Sequence, residues 1–415
     1  MLACNPANPP ASQKPAVTAV QKTAPPKQAD KPAADKPTEA AVVEQASEPP
    51  PVLLSQDELA AGWISLFDGQ SLFGWQAHSK ADWQVQEGAI VVTAGDPGLL
   101  CTSVPFADFE LHVEFRADPN TNSGVFLRTP AVTDKDDVTT RCYELNIAPA
   151  DNPFPTGSFV GRQKASAECQ DDGWREFDAT LEGEHAIVKY NGKTVLDYTD
   201  PKPVGRGLIG LQLNSGKVEF RNIRLKPLGL KSIFTGNDLS GWKENGDSKF
   251  SVENEILNVK GGKGHLESSD SLGDFVVQLE CMTNAKNLNS GLFFRCIPGE
   301  PMNGYESQIH NGFKNDNRSQ PADCGTGGIF RRVNARRVVA DDLAWFNKTI
   351  VAAGPHVAVW VNGYQVTDWT DERASNKNPR HGLRTEPGTL QIQGHDPTTD
   401  ISFRNLRAVE LPAGE

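Results

Sequence analysis

His356-Val357-Ala358-Val359-Trp360-Val361-Asn362-Gly363-Tyr364-Gln365-Val366-Thr367-Asp368-Trp369 reads as two β-strands folded back on an Asn-Gly turn. β-Branched and aromatic residues fill both runs. Asn and Gly tolerate the positive φ that a two-residue type I′ hairpin demands. The same device occurs earlier, in HAIVKYNGKTVLDY (185–198). Around the two hairpins lie further short runs of strand character: FELHVEFRA (109–117) and FVVQLECM (275–282), LIGLQLN (208–214) and TLQIQGH (389–395), VEFRNIRL (218–225) and ISFRNLRAV (401–409). Helical periodicity is confined to short pieces. Ser55 opens one at Ser55–Gly62, with Glu58 placed to complete a capping box.

The strands recur in pairs because the chain is internally repeated. Ser65–Trp75 is echoed by Ser232–Trp242, and Asn122-Ser123-Gly124-Val125-Phe126 by Asn289-Ser290-Gly291-Leu292-Phe293. Tyr143-Glu144 returns as Tyr305-Glu306, and Phe220-Arg221-Asn222-Ile223 as Phe403-Arg404-Asn405-Leu406. The order is kept throughout, so each half is one domain. We expect domains at 56–228 and 229–412, each an antiparallel two-sheet sandwich. With 37 Gly and 29 Pro, the 415-residue chain favours turns and strands over long helices.

Residues 1–55 differ. Met1-Leu2-Ala3-Cys4 looks like the end of a lipoprotein signal whose charged and apolar parts are missing, with Cys4 as the lipidated residue. The Pro/Ala/Lys-rich stretch after it has too few apolar groups to offset its ordering entropy, so it reads as a disordered linker. The expectation is an exported, lipid-anchored protein of a bacterial envelope or periplasm, touching membrane only through that lipid. A net charge of -12 argues against nucleic acid as a partner. The other cysteines are Cys101, Cys142, Cys169, Cys281, Cys296 and Cys324, with no C-x-x-C spacing. Cys142–Cys169 and Cys281–Cys296 are conceivable disulfides, and buried free thiols are the competing reading.

The chemistry concentrates in Tyr305-Glu306-Ser307-Gln308-Ile309-His310-Asn311. As a strand, this puts Glu306, Gln308 and His310 in a row about 7 Å apart on one face. Gln391, Gln393 and His395 share a face of the strand that ends His395-Asp396. The first half keeps the glutamate but has Asn146 for Gln308, Ala148 for His310 and Asn214 for His395. An imidazole is the side chain best suited to proton transfer near pH 7, so the active copy is expected to be the second.

[LI]-F-x-G-x-x-L-x-G-W, N-S-G-[VL]-F, [GC]-Y-E, T-G-[SG]-[FI], the N-G hairpin and F-R-N-[IL] occur in that order twice, covering 62–411. Each half thereby resembles the 3-keto-disaccharide hydrolase domain family. The resemblance implies a concanavalin-A-like jelly roll in each half and action on 3-keto-disaccharides or related glycosides. It also implies a partner sugar oxidoreductase that makes the ketone. A non-catalytic carbohydrate-binding surface protein is the competing class.

A 3-keto sugar can lose its aglycone by elimination across C1 and C2, followed by hydration, which needs a base, an electrophile for the enolate and an acid. Glu306, His310 and His395 are the expected catalytic groups. Arg295, Gln308, Arg331, Gln393, Asp396 and Tyr305 are the expected substrate contacts, with Arg332 beside Arg331 and Trp345 as a second possible stacking platform. If a divalent metal takes part, His310, His395 and Glu306 are its candidate ligands. Asp134, Asp136 and Asp137 form an acidic loop that reads as solvated. Trp75 and Trp242 read as core plugs, and Arg221 and Arg404 as pins for the last strand of each half.

Overall fold

The computed structural model describes residues 49, 51–130, 138–169 and 172–413. Cys4, the linker before residue 49 and the Asp134–Asp137 loop lie outside them. The described residues form two antiparallel jelly-roll β-sandwiches of the concanavalin-A-like kind, each with an eight-stranded and a five-stranded sheet. Among them, no helix is long and apolar enough to cross a membrane.

In the second sandwich the larger sheet runs Tyr364–Thr370, His356–Val361, Phe346–Ala353, Phe275–Thr283, Asp400–Glu410, Ile256–Lys260, Lys249–Glu253, with Lys231–Ser232 added beside Asp400–Glu410. The smaller sheet runs Trp242–Gly246, Gly264–Leu272, Gly388–Gly394, Ser290–Cys296, Tyr305–Ile309. The first sandwich repeats this plan strand for strand, its smaller sheet ending on Ser123–Thr129 and Tyr143–Ile147. Both Asn-Gly hairpins take the expected geometry, with φ of 46° and 76° at Asn191 and Gly192 and 47° and 72° at Asn362 and Gly363. Ser55 caps the helix Gln56–Ala61 and Glu58 completes the box.

The tryptophans of the opening signature are buried, and each indole N–H donates to a backbone carbonyl nine residues upstream: Trp75 to Leu66, Trp242 to Ile233. Arg221 donates to Glu114, and Arg404 to Glu280, tying the last strand to its neighbour in both copies. The six described cysteines are buried thiols, and neither conceivable disulfide forms.

The sandwiches are packed on one another. Trp360, which alternates with valines on its strand, is buried in the first sandwich's core cluster with Val276, Val351 and Leu411, and its indole donates to the Ser65 carbonyl at 2.8 Å. Arg336 pairs with Asp68 at 2.9 Å while lying over Phe73 and Tyr364. This contact covers the outer face of the second sandwich's larger sheet. The outer face of its smaller sheet remains for a site.

Candidate functional site

The strand Tyr305–Ile309 alternates as its sequence demands. Tyr305 and Ile309 enter the core cluster between the sheets, and Glu306 and Gln308 point outward. Register builds two rows across this outer face. In one, Phe293 stands between Glu306 and Gln391, with Glu267 beyond. In the next, Gly291 stands opposite Gln308, and His265 opposite Gln393. Gly291 is needed there: a Cβ would sit 2.7 Å from Glu306 Oε1, because the carboxyl leans across it.

One end of this face is roofed. The Gly299 amide donates to Glu267 Oε1 at 3.0 Å and the Met302 amide to Gln391 Oε1 at 2.6 Å. Gln393 is held under the same loop, its Nε2 3.3 Å from the Met302 sulfur. Gln308 donates to Asp323 Oδ2 at 3.1 Å, and its Oε1 is buried without a partner.

The other end is open. A cavity of about 260 Å³ is bounded by Glu306, Phe293, Phe330, Arg331, Arg332, Arg380 and His381, with Pro379 and the backbone around Tyr305 behind. Glu306 is 8% exposed, and among the described residues its carboxyl has no hydrogen-bond partner. Burial pushes it up to about 7, against the pull of Arg380, Lys348 and Arg331. A carboxyl poised at that value can both take and return a proton at neutral pH. A larger cavity, about 420 Å³, lies in the first sandwich near Asp118, Ile147 and Arg175. It does not include Glu144, the counterpart of Glu306, so the chemistry favours the smaller one.

Two expected contacts are structural. Arg295 is 1% exposed. Its guanidinium donates to the carbonyls of Gly273, Gly354 and Arg384 and to Asp274 Oδ1. Arg128 makes the matching set with Ala107, Gly183, Val204 and Asp108, and both arginines have φ near 50° (55° and 50°) at a strand irregularity. Arg295 therefore pins a bulge and does not reach a ligand. The Tyr305 ring stacks on Phe294 in the core and its hydroxyl donates to Asp371 at 2.7 Å, as Tyr143 does to Asp200. It is not a platform for a sugar ring. Trp345 is not one on this face either, since Arg404 from the larger sheet lies over it.

The histidines are also separated from Glu306. His310 lies one residue past its strand, its Nδ1 accepting from the Gly312 amide at 3.2 Å. His395 lies one residue past its own strand, with Nδ1 2.8 Å from Asp396. Asp396 is held at about 2 chiefly by bonds from Thr398 and His395, so it is engaged locally. Neither histidine lines the Glu306 cavity. Among the described residues no three His, Cys, Asp or Glu side chains are grouped to hold a metal, so the His310–His395–Glu306 set is not assembled.

Sequence reasoning missed Arg380, His381, Phe330 and Lys348. The first two sit in the connection Asp371–Pro387, whose counterpart Asp200–Gly207 is shorter and lacks both. Lys348 stands at the register position of Phe177. It is fully buried and donates to the carbonyls of Ser307 and Gln308. Aligning the two copies position by position would have flagged both changes.

A 3-keto-disaccharide hydrolase of Bacteroides thetaiotaomicron is 33% identical over 89 residues, spanning 19% of this chain and 31% of that protein's length. A Parabacteroides distasonis structure named as a glycosyl hydrolase superposes with a TM-score of 0.38 at 17% identity, covering 42% of this chain and 98% of that one. The carbohydrate-binding module CBM66 of Bacillus subtilis superposes with a TM-score of 0.29 at 16% identity, covering 40% of this chain and 93% of the module. Matching the family model over residues 62–226 and again over 229–408, the chain belongs to the 3-keto-alpha-glucoside-1,2-lyase-like domain family.

Proposed function

We propose that the second sandwich cleaves a 3-keto-glycoside by elimination across C1 and C2 followed by hydration. The observation that carries this reading is the Glu306 carboxyl, raised to about 7 and without a hydrogen-bond partner among the described residues, on a cavity bordered by Arg331, Arg332, Arg380 and His381. Glu306 as carboxylate takes the C2 proton, and the electron pair moves to the C3 oxygen as an enolate. Arg380 neutralises that oxygen. The enolate re-forms the ketone as the C1–O bond breaks, giving a C1=C2 double bond, and His381 as imidazolium protonates the departing oxygen. Water then adds its hydroxyl to C1 and gives its proton to His381. The Glu306 carboxyl returns a proton to C2, so the net result is hydrolysis. Phe330 supplies an apolar face for the ring.

The first sandwich is proposed as a scaffold. Glu144 is likewise raised to about 7 by burial, but Gln212 hydrogen-bonds to it, and Phe126, part of an apolar cluster with Leu99, Cys101, Cys142 and Leu208, stands opposite it. Export on a lipid at Cys4 remains a proposal from the sequence. The test is aglycone release from a purified 3-keto-glucoside by the full chain, beside Glu306→Gln. Release that Glu306→Gln abolishes supports the reading. Binding of the glycoside without release returns the protein to the carbohydrate-binding class, and release unchanged in Glu306→Gln removes Glu306 from the mechanism.

A further inference from the structure

We infer that the Glu306 cavity takes a glycoside bearing a fixed oxyanion, a carboxylate or a sulfate ester, recognised by Arg331 with Arg332 behind it. This deepens the proposed function and rests on its placement of the sugar. Three guanidinium groups, those of Arg331, Arg332 and Arg380, border a cavity whose only acid is Glu306, and none is ion-paired among the described residues. The enolate of the proposed reaction employs one of them, Arg380. Two positive charges are left over at the mouth of a site in a chain of net charge -12. Arg332 donates to the carbonyls of Arg331 and Arg380, and so braces the other two residues. Arg331 is exposed, with its guanidinium over the Phe330 ring and, among the described residues, no side-chain hydrogen bond.

The first sandwich shows that the fold does not require these charges. The turns Phe159–Gln163 and Ile329–Val333 are closed by matching bridges. Arg162, the counterpart of Arg332, is neutralised by Asp200 at 2.6 Å. In the second copy Asp371 is bonded to Arg373 and Tyr305, and among the described residues Arg332 has no ion-paired carboxylate. The counterpart of Arg331 is Gly161, at φ 70°, and Arg331 holds the same left-handed backbone at φ 58°. An L-residue with a Cβ is disfavoured there. The second sandwich therefore tolerates a strained backbone to present a guanidinium beside the cavity. Planar, forked guanidinium groups match carboxylate and sulfate oxygens.

The test compares three 3-keto-glucosides that differ only at C6: hydroxymethyl, carboxylate and sulfate ester. At about 0.02 M salt, kcat/KM for at least one anionic substrate should exceed that for the neutral one by about tenfold or more, and the ratio should shrink at about 0.5 M. Arg331→Gly, which suits the backbone, should reduce the ratio at least fivefold. The carboxylate and sulfate arms identify the anion. No preference, or one that Arg331→Gly leaves intact, overturns the inference. If none of the three is turned over, the proposed reaction fails on its own. Calorimetric binding of the unoxidised C6 series then decides the inference: tighter, Arg331-dependent binding of an anionic member upholds it, and equal binding overturns it.

Discussion

Lys348 Nζ lies 2.8 Å from the Ser307 carbonyl oxygen and 3.0 Å from that of Gln308, so a fully buried ammonium braces, from inside the sandwich, the strand whose outer face carries Glu306. Phe177 holds the equivalent place in the first sandwich and packs on Phe115 and Tyr190. Burial lowers Lys348 to about 7, with Cys281, Glu306 and Cys324 pulling the other way. A depressed folded-state value means that the unfolded chain binds the extra proton between about pH 7 and the lysine's ordinary 10.5. Stability from this site thus rises with pH across that window, and the burial penalty is full below it. Lys348→Met should stabilise the protein most at pH 6, by a few kcal/mol at the order-of-magnitude level, with the gain fading toward pH 10.5. Urea unfolding at both pH values checks this, and a gain independent of pH would contradict it.

Glu306 carries the opposite sign. Its folded-state value of about 7 exceeds the ordinary 4.5, so its stability contribution is intact below about pH 4.5 and is lost as pH rises through 7. Glu306→Gln should match wild type near pH 4.5 and exceed it above pH 8 by on the order of 3 kcal/mol. Over the same range, wild-type turnover of a 3-keto-glucoside should climb with an apparent value near 7, because the base must be ionised.

Arg295→Ala should cost about 3–5 kcal/mol, since it removes a buried cation and orphans the three carbonyls it satisfies, and Arg128→Ala should cost a similar amount. Chemical denaturation of the two variants gives the comparison. If Arg295→Ala instead spares stability while raising KM, the residue touches substrate after all.

His310→Ala and His395→Ala should retain turnover within about threefold, because neither ring lines the cavity of Glu306. His381→Ala should lower kcat by about 10²-fold, the usual size of a general-acid contribution. Reversal of that order, read from kcat alone, would move the site along the sheet.

Arg331→Gly should raise stability by up to about 1 kcal/mol by relieving the left-handed backbone at φ 58°. A thermal melt reads the sign. A gain in stability joined to a loss of anionic-substrate preference separates a functional charge from a structural one.

The sequence by itself determined the strands, the two hairpin turns, the repeat and the face on which Glu306 stands. Each of these depends on local rules: a period of two, Asn-Gly at positive φ, and register carried over from one copy to the next. It also marked Trp75, Trp242, Arg221 and Arg404 as structural, since they persist in both halves whatever happens at the site. The tertiary structure decided which polar groups meet. His310 and His395 follow their strands in the same pattern as Glu306, but each stops one residue past its strand and bonds locally. Arg295 and Tyr305 resembled ligand contacts until the bulge and the inter-sheet core took their polar atoms. Arg380 and His381 border the Glu306 cavity from a connection with no strand periodicity, and Lys348 reaches its strand from the opposite sheet. Alternation tells which face a side chain occupies. Which loop closes over that face, and which charge lies behind it, depends on contacts between residues far apart in the chain.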